Sequence, residues 1–282
     1  MSTVTPTQPS TSRASFVPTG SGLSFTGLLR SETIKLWSLR STYWTYSLVI
    51  VAALGFGVLM SFALSATAGL DPATGAPMPM ESAQIFVIAS TSGLALGQLI
   101  VAVLGVLSIS GEYSSGMIKS TLTAVPNRLP ALWAKVIVLF VFTFLIGLVS
   151  VVGAFLAAVP RLGVENITAS LFDVDVLLPL LGNVLFLALI AVFAVGIGTI
   201  VRSSAGGIAT VLGILLLLPT VVALFSMLVE WVNDIVPFLF TVAGSEMVYP
   251  NTMESWQAFL VVIAWVAVSL GTAALLLKRR DA

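Results

Sequence analysis

The twelve cations and twelve anions of this 282-residue chain are spaced so that six long stretches carry no charge at all. Counted inclusively, these are residues 41–70, 82–111, 136–160, 176–201, 203–229 and 255–277, of 30, 30, 25, 26, 27 and 23 residues. Each exceeds the roughly 20 residues that a helix needs to cross a hydrocarbon core of about 30 Å. A helix satisfies its own backbone in lipid, and none of the six stretches alternates apolar and polar residues as a barrel strand does. The expected fold is therefore an all-α integral membrane protein of six transmembrane helices. Their cores are placed near residues 44–66, 85–109, 136–158, 176–200, 206–228 and 257–277.

The segments between are short, and their charges are sorted by side. Residues 1–22 are rich in Ser, Thr and Pro, carry only Arg13, and lack the apolar core of a signal peptide, so a disordered cytoplasmic tail is expected. Residues 23–43 read as an amphipathic helix in the membrane interface. At 100° per residue Phe25, Leu28, Leu29, Leu36 and Leu39 share an arc, with Arg30, Lys35 and Arg40 mostly off it. Glu32 falls inside that arc, against the pattern, and Lys35 one turn on is its candidate partner. A cytoplasmic N-terminus puts eleven of the twelve cations inside and only Arg161 outside, as the positive-inside rule requires, and makes both termini cytoplasmic. Nine of the acids fall outside. The longest external connection, residues 229–256, contains the apolar pieces IVPFLF and MVYP, which suit either a re-entrant or interfacial segment or a folded cover over the bundle.

The longest polar interruption between spans is residues 111–135, GEYSSGMIKSTLTAVPNRLPALWAK. Ile118, Leu122 and Val125 recur at i, i+4 and i+7, with Lys119, Ser120 and Thr123 off that face. This predicts a short amphipathic helix stopped by Pro126. Asn127 and Pro130 suit a new helix start, and Trp133 and Lys135 are natural residues of the membrane interface. The same pattern equally fits a solvated loop with snorkelling lysines.

This run resembles the characteristic cytoplasmic loop of ABC-2 type transporter permeases, the membrane subunits of ABC exporters. In that loop an acid and a glycine precede a short helix, followed by a proline, an arginine and a lysine that opens the next span. The matching positions are Glu112, Gly116, Pro126, Arg128 and Lys135. SETIKLWSLRSTYW at residues 31–44 resembles the family's segment before the first span, and IVRSSAGGIATVLGILLLLP at residues 200–219 its turn between the fourth and fifth spans.

The resemblance implies a plasma-membrane export permease over residues 44–280, paired with a second permease subunit as a homodimer or heterodimer. A separate ABC ATP-binding subunit would dock on the cytoplasmic loop. ATP and Mg would sit on that partner, with no cofactor in this chain. The sequence indeed contains no GxxxxGK[ST] phosphate loop. The implied docking residues are Glu112, Gly116, Ile118, Lys119, Leu122 and Arg128, with a helix over residues 115–124 laying its apolar face into a groove of the partner. Glu112 would be a polar contact or hinge anchor at the positive helix end. Gly116 would permit close approach or a bend.

Other features narrow the function further. Gly93 and Gly97 form a GxxxG spacing, suited to packing against another span of the same chain or to a dimer contact. Gln98 and Asn183 are expected to hydrogen-bond between helices. The chain has no Cys and no His, and no ionisable residue in the middle of a predicted span. This argues against an enzyme, an ion channel or a proton-coupled carrier. Zero net charge gives no footing for nucleic acid. The lining of the spans suits an apolar or amphipathic cargo. The competing reading is a non-transporting membrane scaffold or sensory subunit.

Overall fold

A computed structural model describes residues 24–67, 80–114, 116 and 129–279, and among them there are helices and no strands. Helix α1 (Phe25–Ser38) is capped by Ser24, whose hydroxyl accepts from the Gly27 amide at 3.1 Å. It stops at Leu39, whose extended backbone turns the chain sharply into α2 (Arg40–Thr67), the first crossing. Helices α3 (Ser82–Thr91) and α4 (Leu94–Ser114) together make the second, α5 (Leu129–Val164) the third and α6 (Val174–Val201) the fourth. The fifth consists of α7 (Ser204–Leu212), a π-helical turn (Gly213–Leu217) and α8 (Leu218–Ser226). Two 3-10 turns (Glu230–Asp234 and Val236–Phe238) and α9 (Phe240–Glu246) then lead to α10 (Ser255–Arg279), the sixth. Among the described residues, six helical stretches are thus long and apolar enough to cross a membrane, as the charge-free runs predict.

The boundaries differ in instructive ways. Helix α5 starts seven residues before the expected core, with Pro130 in its first turn where the missing N–H has no intrahelical acceptor. It also runs through Pro160 to Val164. The helix before the first span ends at Ser38, so α2 takes over at Arg40, and the expected 23–43 unit is two elements joined at an elbow.

Helix α6 is the axis of the bundle. Residues 186–196 are buried without interruption, as befits a helix apolar on every side that is wrapped by others. Small residues set its distance from its neighbours: a Cβ on Gly105 of α4 would lie 2.6 Å from the Ala191 carbonyl oxygen, and one on Gly196 would lie 2.6 Å from the Ser269 hydroxyl of α10. The second crossing breaks at Ser92 and Gly93, where Gly93 rests on the α2 backbone at Ala52 and Ala53. Gly97 faces Val49 and Leu187. Both glycines of the GxxxG pair therefore meet other spans of this chain. Asn183 also differs from expectation: its amide donates to the Pro179 carbonyl at 3.3 Å, within its own helix.

The 229–256 connection enters the bundle. Phe240 stacks on Phe193 of α6 with ring centroids 4.6 Å apart and packs against Trp265, the eleventh residue of α10. Trp265 Nε1 donates to the Phe238 carbonyl at 2.9 Å. At a rise of about 1.5 Å per residue this contact lies about 15 Å along α10, so the segment reaches into the bundle. The following turn is held by the buried carboxylate of Glu246, which accepts from the amides of Asn251 (2.6 Å) and Thr252 (3.0 Å) and from the Thr252 hydroxyl (3.0 Å).

Candidate functional site

At the end of the bundle where the cations gather, four charged side chains from three helices meet. Glu32 and Lys35 stand one turn apart on α1, Glu112 lies in the last turn of α4, and Lys135 lies in the second turn of α5. Lys35 Nζ is 2.6 Å from Glu32 Oε1 and 3.1 Å from Glu112 Oε1; Lys135 Nζ is 2.6 Å from Glu32 Oε2 and 2.9 Å from Glu112 Oε1. Each lysine binds both acids and each acid binds both lysines, closing a square. Glu32, Glu112 and Lys135 are buried, and Lys35 alone keeps 30% of its side chain exposed.

The local sequence dictates this arrangement. Leu28, Leu29, Glu32, Lys35 and Leu36 form the inward stripe of α1, so the middle of the apolar arc faces the protein while Phe25 and Leu39 at its ends are exposed, and Glu32 sits within the stripe because its partners lie across the interface. Lys135 does not snorkel to water as an interface lysine would; it is drawn inward by two carboxylates. Burial pushes the Glu32 carboxyl up, but the charges and hydrogen bonds of Lys135 and then Lys35 outweigh it and hold the group below its ordinary value of 4.5. For Lys35 burial acts downward, and bonding to Glu32 and Glu112 lifts it above 10.5. Glu32 and Lys35 are thus both ionised at neutral pH.

Behind it lies a cavity of about 590 Å³ between α1, α4 and α5, walled by Leu36, Leu39, Leu107, Val138 and Leu139. A second tie stands beside it. Arg202, in left-handed conformation at the end of α6, stacks over the Tyr113 ring at 5.2 Å, and Ser110 and Ser204 hydroxyls are 2.9 Å apart. Both contacts fasten the two-residue turn between the fourth and fifth crossings to the end of α4.

Of the residues predicted as docking contacts, Glu112 is engaged in the square. Gly116 is an exposed bend with φ of +72°, a backbone conformation that favours glycine. Ile118, Lys119, Leu122 and Arg128, with the rest of the short helix over residues 115–124, lie outside the described residues. Sequence reasoning gave Glu32 only Lys35 as a partner and missed the closure of the four into one unit. The available signal was charge sorting: Glu32 and Glu112 are acids stranded at the cation-rich end, each in need of compensation. No group of three or more acidic side chains that could hold a metal ion occurs among the described residues. No protein-family model matches the chain, and no curated protein matches it.

Proposed function

We propose that this chain is the membrane permease subunit of an ATP-driven ABC exporter of the ABC-2 type, set in the plasma membrane with the cation-rich end and both termini in the cytoplasm. The observation that carries this reading is the meeting of Glu112 and Lys135 at 2.9 Å. These residues bracket the loop that resembles the family's coupling segment, so the ends of that loop are closed on one another and on α1. A force applied to the loop then reaches the second crossing, the third crossing and the elbow together. In this reading an ATP-binding subunit docks on residues 115–128, hydrolyses ATP with its own Mg, and works on the spans through the square. A second permease subunit completes the pathway.

The test is co-purification followed by coupled assay. A tagged chain in mild detergent should recover an ATP-binding subunit, with crosslinks from Lys119. Leu122→Ala should uncouple ATP hydrolysis from transport at unchanged expression. Absence of any ATP-binding partner after crosslinking, or unchanged transport in the variant, would sink the proposal.

A further inference from the structure

The elbow between α1 and α2 holds a groove of about 320 Å³, lined by Trp37, Thr42, Tyr43, Tyr46, Phe142 and Ile146 among others, none of them charged. Trp37 packs edge-on against both Tyr43 (5.5 Å) and Phe142 (5.8 Å), forming an aromatic wall. The Tyr46 hydroxyl is committed elsewhere, 3.0 Å from that of Thr143.

Thr42 is the anomaly. Its residue is 7% exposed, and its hydroxyl is buried without a hydrogen-bond partner. A threonine inside a helix normally satisfies its hydroxyl on the carbonyl four residues back, as six others do here, Thr45 on Ser41 at 2.8 Å among them. For Thr42 that carbonyl belongs to Ser38, on the far side of the Leu39 break, where the helix is interrupted. The elbow itself therefore strands this hydroxyl. Its side chain lines the groove, and a single χ1 step carries its hydroxyl to the position its methyl now holds. A buried hydroxyl without a partner is rare in a native fold, and at a groove it marks where a ligand's polar atom belongs.

We infer that this groove is a binding site for one bilayer phospholipid, whose acyl chain lies along the aromatic wall and whose ester carbonyl accepts from the Thr42 hydroxyl. The uncharged lining fits a chain and an ester, not a phosphate. Trp37 and Tyr43, about half exposed, are residues that favour the headgroup level of a membrane. The site is independent of the permease reading, because occupancy is measured without an ATPase.

Native mass spectrometry of the full chain, released from nanodiscs of phosphatidylcholine and phosphatidylglycerol, tests it. The parent should keep one phospholipid per chain under activation that strips the rest. Thr42→Val should lower that adduct about tenfold, the factor for losing a hydrogen bond of about 1.4 kcal/mol. Thr42→Ser should retain it, and Leu145→Trp, at an exposed position on the groove, should displace it. In lipid-free detergent Thr42→Val should unfold no earlier than the parent, since no bond within the protein is removed. Equal adducts in parent and Thr42→Val, a retained adduct in Leu145→Trp, a parent that keeps only detergent or pairs with a second copy there, or early unfolding of Thr42→Val would each overturn the assignment.

Discussion

Lys135 answers two carboxylates from two different helices, and its removal leaves both short of a cation in a site where water is scarce. Lys135→Met is expected to destabilise the fold by about 3–5 kcal/mol, the range for removing one partner of a buried ion pair. Replacing all four members with apolar residues of similar volume should cost far less, because the desolvation penalty leaves with the charges. Thermal unfolding in detergent separates the two outcomes. The pH dependence follows from the same geometry. Glu32 and Glu246 both have depressed carboxyls; for Glu246 burial acts upward, and the Asn251, Thr252 and Met253 donors outweigh it. The stability they contribute is fully present above 4.5 and is lost as pH falls through their lower folded values. Lys35 is raised, so its contribution is fully present below 10.5 and is lost as pH rises through its folded value. Unfolding midpoints should therefore hold a plateau between these limits, and Glu32→Gln should lower the plateau and soften its acid edge.

Among the elements, the two pieces of the second crossing carry the sharpest packing constraint. A side chain on Gly93 would drive into the Ala52 and Ala53 backbone, which has no rotamer to give. Gly93→Ala is expected to cost at least about 1–3 kcal/mol, the usual range for overpacking, whereas Gly97→Ala meets only the ends of side chains and should cost less. Chemical denaturation of both variants in one detergent ranks them. These elements also show how far sequence reaches. Span number was legible because length and freedom from charge are properties of a single run. The break at Ser92 was not, because it is fixed by Gly93 resting on α2 across an interface, and the entry of residues 235–246 into the bundle was legible only as one of two alternatives. The square illustrates the limit: its partners are 3, 23, 77 and 103 residues apart, and only the i,i+3 pair lies within reach of a local pattern. The misplacement of Glu32 on an apolar arc was the single local sign of the remainder.

For the whole molecule, the proposed orientation puts the cation-rich end in the cytoplasm. Cysteines at Ser115 and Asp173, introduced into a chain that has none, should label from opposite faces of sealed vesicles with an impermeant maleimide, Ser115 from the cytoplasmic face. Labelling of both from one face would contradict the topology. Within that frame the square has an electrical consequence. Moving one elementary charge through the full membrane potential takes about 2.3 kcal/mol per 100 mV. Two lysines and two glutamates that travel together carry no gating charge. The quartet itself can shift along the membrane normal without the membrane voltage opposing or assisting it.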